Sequence, residues 1–562
     1  MNKRKQYKRQ SLIRLLIVVA IIVLVNILDS SIFKRIDLTN DKIYTLTDST
    51  KSLLRKVNDV AFVKVYLHGN FPAGFKRLEK STQEMLNEFR IYTGDNLQYE
   101  FIDPLADKSA EEKQQITKQL EDEGLFPTEL QVSDEGYSET RIFPGAILTY
   151  RGREVPIRLL ENETGGDPET ALNNSVALLE HKFASAIEQL SEVKAPKIGI
   201  TYTHGELAGN YLYDLRANLK ALYVVDSLDI SRVVFLKKLY DAIIIPRPTQ
   251  PFDEKEKFLL DQFIMAGGKV LWLTGGTNAD MDSLHQGAFI AQEKDINLED
   301  QLFKYGVRIN PDLLLDLQCN RIPLISPEKQ VHVFPWPYFP VVTPDGNNPI
   351  VKNLDEVAFQ FTSSIDTIAT KGVKKTILLH SSKYTHIAFT PWKVDYGIIM
   401  QKPNPEDYNK ANVPVAVMLE GNFESLYKNR LSSLTKAAMD SLKIPVRDES
   451  KPTKMIVISD GNVVKNGFDT QIYPMGFYRY ATKGDYEVYD NKDFILNCIE
   501  ALTDNSGLIE SRGKEIKLRL LDSTRIRDEK LKWQFINMVV PIAVIILFGL
   551  IFTFVRNRRY SA

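Results

Sequence analysis

The chain has 562 residues, of which 44 % are hydrophobic and 25 % charged, and its formal net charge is -1. This composition is that of a folded protein, and the length allows two to four domains with their own cores. The missing basic excess argues against a nucleic-acid-binding function. Cys319 and Cys498 belong to no CxxC pair or Cys/His cluster, so no structural zinc site is expected. The two cysteines either form one disulfide or remain buried thiols.

The N-terminal segment predicts a membrane anchor. Residues 1–10 form a basic tail, and residues 11–30 form an apolar run in which positions 15–28 carry no charge. Such a run reaches the length that a transmembrane helix needs. A cleavable signal peptide has a similar basic start and apolar run. The run is followed by no clear small-residue cleavage site and no lipobox cysteine, so a retained transmembrane helix is the favoured interpretation.

The C-terminal segment predicts a second transmembrane helix. Residues 535–555 are uncharged and long enough to cross a bilayer with some tilt. Trp533 stands at the interface, a juxtamembrane helix is expected over 511–534, and the tail 556–562 carries three arginines. Because both tails are basic, both termini are predicted to be cytoplasmic. The large middle region would then be periplasmic, at a bacterial inner membrane.

Residues 34–193 are expected to form an N-terminal α/β domain. Strand patterns at 60–67 and 97–102 alternate with a helical pattern at 75–92, and a long helix is expected over 174–193. The predicted order is β-α-β-α-β-β-α, with a hairpin around 151–153, and it is similar to a thioredoxin-like arrangement. The CxxC motif of redox members of that fold is absent, so redox chemistry is not implied.

Residues 195–510 are expected to form a second α/β domain with a doubly wound parallel sheet. Apolar strand patterns at 197–202, 241–246 and 269–274 alternate with helical patterns, as parallel sheets require. Asp253 and Glu256 have the spacing of a capping box at the start of one of these helices. An irregular insertion rich in proline and aromatic residues is expected at about 320–353.

No motif in the chain identifies an enzyme. The P-loop, GxSxG, HExxH and GxGxxG patterns are absent, and no cofactor or metal is implied. The best site candidates are His204 and Glu206, which follow a central strand, and Asp460, which follows another. Ligands in doubly wound sheets lie beyond such strand ends, so these three side chains could bind a small polar ligand. The favoured alternative is that these side chains form hydrogen bonds within tight turns.

A run of aromatic and proline residues at 333–340 offers a second candidate site. Trp336, Tyr338 and Phe339 would form a rigid hydrophobic surface for a partner protein if they were exposed. The alternative is a packed strand or loop that covers the sheet. The sequence favours neither interpretation over the other.

Several short motifs, in their order along the chain, resemble the GldG family, the accessory membrane subunits of the gliding-motility ABC transporters of Bacteroidetes. The resemblance covers essentially the full length and includes the two anchors. It rests on RIDLTNDKIYTLT at 35–47, YLxG at 66–69, FKRL at 75–78, FIDP at 101–104, THGE at 203–206, WPYFP at 336–340, SDGN at 459–462 and WQxxN at 533–537.

The resemblance implies an extracytoplasmic auxiliary region of an ABC transporter, with a permease subunit and a cytoplasmic ATPase as partners. It implies no catalytic residue. The expected function is therefore that of a non-enzymatic accessory subunit required for gliding motility, whose outer domains bind a substrate or an envelope partner. The alternatives are a periplasmic enzyme that uses His204 and Glu206, and a scaffold that transmits force or signal without a ligand.

Overall fold

The computed structural model describes residues 13–19, 21, 45–69, 71–132, 138–161, 168–191, 195–233, 235–326, 328, 330–432, 437, 439, 441, 445–480, 485–513 and 523–560. The chain divides into two compact units, Met1–Glu515 and Ile516–Ala562. The first unit contains a smaller N-terminal sheet and a larger central sheet. The second unit contains one long helix. The structure is therefore mixed α/β, as expected from the sequence.

The N-terminal part of the first unit is built around a four-stranded sheet. Its elements are α1 (Asp48–Leu54), β1 (Ala61–Val65), α2 (Ala73–Thr93), β2 (Leu97–Phe101), α3 (Ala110–Asp122), β3 (Thr128–Val132), β4 (Ser138–Ile142), β5 (Gly145–Tyr150), β6 (Arg153–Arg158) and α4 (Pro168–Ser191). The strand order is β2-β1-β5-β6, with β1 parallel to β2 and antiparallel to β5. The strands β3 and β4 form a separate hairpin.

Local sequence signals set the ends of these elements. The Ser109 hydroxyl accepts a hydrogen bond from the Glu112 amide, and the Glu112 carboxylate accepts one from the Ser109 amide, so a capping box begins α3. Arg151 and Gly152 both have positive φ angles in the two-residue turn of the β5–β6 hairpin. The edge of Phe183 in α4 packs against Phe89 in α2, with ring centroids 6.4 Å apart, and both side chains are fully buried.

The rest of the first unit contains the central sheet and its outer strands. Its main elements are β7 (Lys197–Thr201), α5 (Tyr213–Lys220), β8 (Val224–Leu228), α6 (Leu236–Leu239), β9 (Ala242–Pro246), α7 (Glu254–Met265), β10 (Lys269–Leu273), β11 (Ala288–Ala291), α8 (Glu299–Tyr305), β12 (Val307–Ile309), β13 (Asp312–Asp316), β14 (Cys319–Ile325), β15 (Val331–Val342), β16 (Val357–Ala358), β17 (Ile365–Thr367), β18 (Val373–His380), β19 (Thr385–Phe389), β20 (Trp392–Asp395), β21 (Pro414–Gly421), β22 (Thr453–Ile458), β23 (Asn466–Phe468), β24 (Ile472–Met475), β25 (Phe477–Arg479), β26 (Tyr486–Val488) and α9 (Asn491–Thr503).

Seven strands make the central sheet, in the order β18-β21-β22-β10-β9-β7-β8. The five strands from β22 to β8 are parallel, and β21 and β18 add an antiparallel edge. Ile244 enters the core on one face with Leu215 and Phe494, whereas Ile243 enters the core on the other face with Phe263. The parallel strands are apolar on both faces because helices or further strands cover each side.

The prediction of an irregular insertion at 320–353 is wrong for most of that range. Strands β14 and β15 form a regular antiparallel hairpin, and β15 also pairs with β16. Three prolines in β15 concealed the strand pattern, because proline lacks an amide donor and usually interrupts a sheet. Pro335 and Pro340 face β14 on either side of a register shift at Cys319 and Arg321, where such residues are tolerated.

The two cysteines are both free thiols. Of the two alternatives that the sequence left open, the disulfide is therefore not formed. Cys498 is fully buried in α9, and burial raises the pKa of its thiol well above the ordinary value. Burial likewise raises the pKa of Cys319 to about 12. Both sulfurs are therefore protonated and unreactive at neutral pH.

The second unit contains α10 (Ser523–Tyr560), a helix of 38 residues. It joins part of the expected juxtamembrane helix and the expected span into one continuous element, which includes Pro541. Within the part of the chain that the structure describes, Lys532–Arg558 is the stretch long and apolar enough to cross a membrane. Of the expected first span, residues 13–19 and 21 are helical, and the remainder lies outside the described residues.

Candidate functional site

The site expected from the sequence lies at the carboxyl ends of the parallel strands. Within the sheet, β8 is the neighbour of β7 in one direction, and β9 is its neighbour in the other direction. The strand order therefore reverses at β7. In doubly wound sheets, the ligand crevice lies at the point where the strand order reverses in this way. Here that point is formed by residues 202–206, which follow β7, and residues 247–250, which follow β9.

His204 is held inside the protein by two carboxylates and an aromatic ring. It is 5 % exposed, its Nε2 is 2.9 Å from Oε2 of Glu256, and its ring stacks on Phe252 with centroids 3.7 Å apart. Burial alone would lower the pKa of His204, but the hydrogen bonds with Glu206 and Glu256 raise it above its ordinary value. Glu256 also belongs to the capping box with Asp253, so His204 ties its loop to the start of α7.

Glu206 is directed into its own loop. One carboxylate oxygen accepts a hydrogen bond of 2.5 Å from the His204 amide, and the other lies 3.7 Å from Nδ1 of His204. Burial would raise the pKa of Glu206, but hydrogen bonds from His204 and Thr201 hold it below the ordinary value. The carboxylate is charged and faces protein groups, which is the arrangement of a structural turn.

The crevice at the switch point is closed by contacts between its two loops. The amides of Thr249 and Gln250 both donate hydrogen bonds to the His204 carbonyl, at 2.8 and 3.0 Å. Gly205 has a φ of 68°, and a Cβ atom at this position would lie 2.1 Å from Oγ1 of Thr249. The loops therefore approach too closely for a ligand to lie between them.

We expect Gly205→Ala to lower the free energy of unfolding by about 2–4 kcal/mol, because left-handed strain and a steric clash add together. Gly209 is the matched control, since its φ is 59° and nothing lies within 4 Å of an added Cβ. Gly209→Ala should cost only about 1 kcal/mol, from the backbone strain. Urea unfolding of both variants measures the difference, and equal costs would contradict the closed loop contact.

Asp460 is buried at a different place on the same edge. Its two oxygens accept hydrogen bonds from the amides of Gln360 and Asn462, at 2.7 and 2.6 Å. Burial raises the pKa of Asp460 to about 6. The two hydrogen bonds lower this pKa, but their effect is smaller than that of burial. Strands β10 and β9 separate β22 from β7, so the carboxyl ends of these two strands are roughly 14 Å apart across the sheet. The structure does not bring the three expected ligand-binding residues together.

A polar cluster that the sequence did not reveal surrounds Asp460. Arg247 follows β9 and forms an ion pair with Asp280, and Nζ of Lys294 donates a hydrogen bond of 2.8 Å to Oγ1 of Thr274. Burial and the nearby charge of Arg247 lower the pKa of Lys294 to about 8. The cavity beside Lys294 has a volume of about 120 Å³. That volume holds roughly four water molecules, so it is too small for an ordinary transported solute.

The aromatic run does not form an exposed surface. Trp336, Tyr338 and Phe339 are 0 %, 2 % and 4 % exposed, and the expected partner-binding surface is therefore not available on these side chains. Tyr338 accepts a hydrogen bond of 2.9 Å from the Trp392 indole. The three side chains pack with Phe361 in the core beneath the outer strands. They are buried because both faces of β15 are covered from Trp336 to Val342.

These features describe a membrane-associated α/β protein whose sheet edge is closed. The family model described as "ABC-type uncharacterized transport system" matches residues 195–498, and the chain belongs to this family of ABC transport auxiliary components. A second model, a domain of unknown function (DUF7088), matches residues 40–149. The family membership supports an accessory role in transport and an association with transporter components.

The chain is also similar to an uncharacterized protein of Borreliella burgdorferi, at 23 % identity over 550 residues that cover 94 % of each chain. Among solved structures, it resembles the mmIFT52 N-terminal domain, with 13 % identity and a TM-score of 0.30, over 55 % of this chain and 98 % of that one. It also resembles a ThuA-like protein from Bacteroides uniformis, with 14 % identity and a TM-score of 0.25, over 57 % and 98 %. Structural likeness at these TM-scores carries no argument about function.

Proposed function

We propose that the chain is a non-enzymatic accessory subunit of an ABC transporter complex that supports gliding motility, as the GldG family does. Two spans would hold it in the bacterial inner membrane, with both termini cytoplasmic and the large first unit periplasmic. The observation that carries the proposal is the family match over the central sheet, combined with the apolar helix α10 in the same chain. The N-terminal sheet order, with two parallel strands followed by a hairpin, supports a thioredoxin-like arrangement there.

The central sheet is closed at the carboxyl ends of its parallel strands, which favours an accessory role over catalysis. The hydrogen bonds that His204, Glu206 and Asp460 form are all with protein groups, and the second oxygen of Glu206 is buried 3.7 Å from Nδ1 of His204. A general acid or base must reach a substrate atom at hydrogen-bond distance. The cavity described at this edge is lined by other residues, Thr274 and Lys294 among them, and by none of these three.

The side chains of α10 favour a partner within the membrane. From Phe535 to Val555 the helix is apolar and its large side chains are exposed, so lipid or another membrane helix must cover them. Packing against a permease subunit would cover part of this surface. The cytoplasmic ATPase would then be reached through the permease, because this chain contains no P-loop.

The experiment is affinity purification of the full chain from native membranes. We expect the permease and the ATPase to co-purify with it. The matched variant replaces residues 535–555 with a leucine helix of equal length, which should remain in the membrane but lose the permease. Purification of the wild-type chain without either partner would overturn the transporter role. Normal spreading of a strain that lacks the chain would overturn the link to gliding while leaving that role in place.

A scaffold without a small ligand is the second candidate function. It is favoured by the small cavity at the strand edge, where binding proteins with such sheets hold their ligands. The same subunit could then transmit force or a signal from the membrane to the cell envelope.

A further inference from the structure

The uncharged stretch of α10 contains two polar side chains, and only one of them forms a hydrogen bond within the described residues. The stretch runs from residue 535 to residue 555, and its polar side chains are Asn537 and Thr553. The Thr553 hydroxyl donates a hydrogen bond of 2.7 Å to the Gly549 carbonyl, one turn earlier. The Asn537 carboxamide is exposed and has no hydrogen bond within the part of the chain that the structure describes. Hydrocarbon cannot satisfy a carboxamide, so another group must do so.

The same turn of α10 contains a second polar group without a helical partner. Pro541 lies inside the helix. Because proline has no amide hydrogen, the backbone carbonyl of Asn537, four residues earlier, has no helical donor. Within a membrane, such a freed carbonyl takes its hydrogen bond from a neighbouring helix, a hydroxyl side chain or an ordered water. Asn537 therefore presents a free backbone acceptor together with a free carboxamide.

Both groups lie at the depth of the hydrocarbon when the apolar stretch is centred in a bilayer. The midpoint of Lys532–Arg558 is Ile545. At a rise of about 1.5 Å per residue, Asn537 lies roughly 12 Å from this midpoint along the helix axis. The hydrocarbon core of a bilayer extends about 15 Å on either side of its centre. The Asn537 carbonyl points along the axis toward Pro541, and therefore deeper into the core.

The two sides of α10 differ in chemistry. One side, called the Asn537 face below, contains residues that project within roughly 60° of one another around the helix axis. Its members are Asn537, Pro541, Phe548 and Phe552. The rings of Phe548 and Phe552 stack on each other, with centroids 6.4 Å apart. The opposite side is aliphatic, and its exposed side chains are Val539, Ile546 and Leu550. Lipid chains match the aliphatic side, whereas the Asn537 face needs a partner that forms hydrogen bonds.

We propose that the Asn537 face of α10 packs against a transmembrane helix of the permease that carries a hydroxyl or carboxamide side chain at the depth of Asn537. Each of these groups both donates and accepts hydrogen bonds, so it can serve the free carbonyl and the carboxamide together. The inference rests on the proposed function and deepens it, because it states which side of α10 binds the permease and what the permease provides. A second copy of this chain would offer a carboxamide too, but the family membership favours a transporter component.

The first test is photo-crosslinking of the full chain in native membranes. Benzoylphenylalanine replaces either Phe548, on the Asn537 face, or Leu550, which lies at almost the same depth on the aliphatic side. We expect position 548 to crosslink to the permease, and position 550 to give at most about a tenth of that product. Equal permease crosslinks from both positions, or a crosslink from position 548 to a second copy of this chain instead, would overturn the inference.

The second test measures how much permease co-purifies with variants of α10. Asn537→Leu should lower the recovered permease about threefold to tenfold, because hydrogen bonds between membrane helices are lost. Asn537→Gln keeps a carboxamide and should recover most of the permease. Thr553→Val is the matched control, since the Thr553 hydroxyl is satisfied within α10, and it should leave the recovery unchanged. Equal amounts of each variant in the membrane fraction show that each is inserted.

Failure of this inference can be told apart from failure of the proposed function. If the wild-type chain recovers no permease, both are wrong. If the wild-type chain recovers the permease and Asn537→Leu recovers it equally well, the accessory role remains and the assignment of the Asn537 face is overturned. Recovery of the permease without a crosslink from position 548 has the same consequence.

Discussion

Glu500→Ala is expected to lower the free energy of unfolding of the first unit by about 3 kcal/mol, because it leaves buried cationic and polar partners without their carboxylate. Glu500 lies in α9, next to the central sheet, and contacts α4 of the N-terminal part. Its Oε1 is 2.9 Å from Nε2 of His181 and accepts a hydrogen bond of 3.1 Å from Ser185. Arg512 lies 3.7 Å from the other oxygen. One carboxylate thus joins three partners from two other segments, because His181 and Ser185 both lie in α4 and Arg512 lies after α9.

The acid dependence of this contribution has a defined direction. Burial would raise the pKa of Glu500, but His181, Arg512 and Ser185 together lower it from 4.5 to about 2. A carboxyl whose pKa is lower in the folded state stabilises the fold above its unfolded pKa. We therefore expect the difference between wild type and Glu500→Ala to be full above pH 4.5. It should shrink as the pH falls from 4.5 toward 2.

Hydrogen exchange and thermal unfolding of the full chain in detergent measure this effect. We expect faster exchange in both α4 and α9 of the variant, since each loses a contact with the other. Glu406→Ala removes an exposed carboxylate and should change the free energy of unfolding by less than about 0.5 kcal/mol. If the two variants were equally stable at neutral pH, the proposed role of Glu500 in joining the two parts would be wrong.

Local signals in the sequence were sufficient for the central parallel strands and their helices. The apolar pattern at 241–246 matches β9, and the spacing of Asp253 and Glu256 matches the capping box that begins α7. Both signals act over a few residues, so one sequence carries them completely. The antiparallel edge formed by β18 and β21 was not expected, because strand direction depends on the long connections between strands.

The candidate site was harder to predict than the fold. The sequence placed His204, Glu206 and Asp460 correctly after strands, but it contained no information on which loops touch. The partners of His204 are Glu256 and Phe252, about fifty positions later, and the neighbours of Asp460 include Arg247 and Lys294. Such groups come together only through the folded backbone.

Trp336→Ala is expected to destabilise the first unit by about 3–5 kcal/mol, because it removes a large, fully buried side chain from a packed core. The indole ring lies 5.1 Å from the ring of Tyr338 and 5.7 Å from that of Tyr396. Phe389 is the matched control, since it is an aromatic side chain on a strand and is 67 % exposed. Phe389→Ala should cost about 1 kcal/mol or less.

The milder variant Trp336→Phe separates packing from hydrogen bonding. Nε1 of Trp336 is buried and has no hydrogen-bond partner among the described residues. Replacement by phenylalanine removes this unpaired donor while leaving most of the ring, so the cost should fall to about 1 kcal/mol. Urea unfolding of the three variants shows whether Trp336 lies in a core or on a surface. If Trp336→Ala were as stable as Phe389→Ala, the aromatic run would be a surface, and partner binding through Trp336, Tyr338 and Phe339 would be favoured over a packed strand.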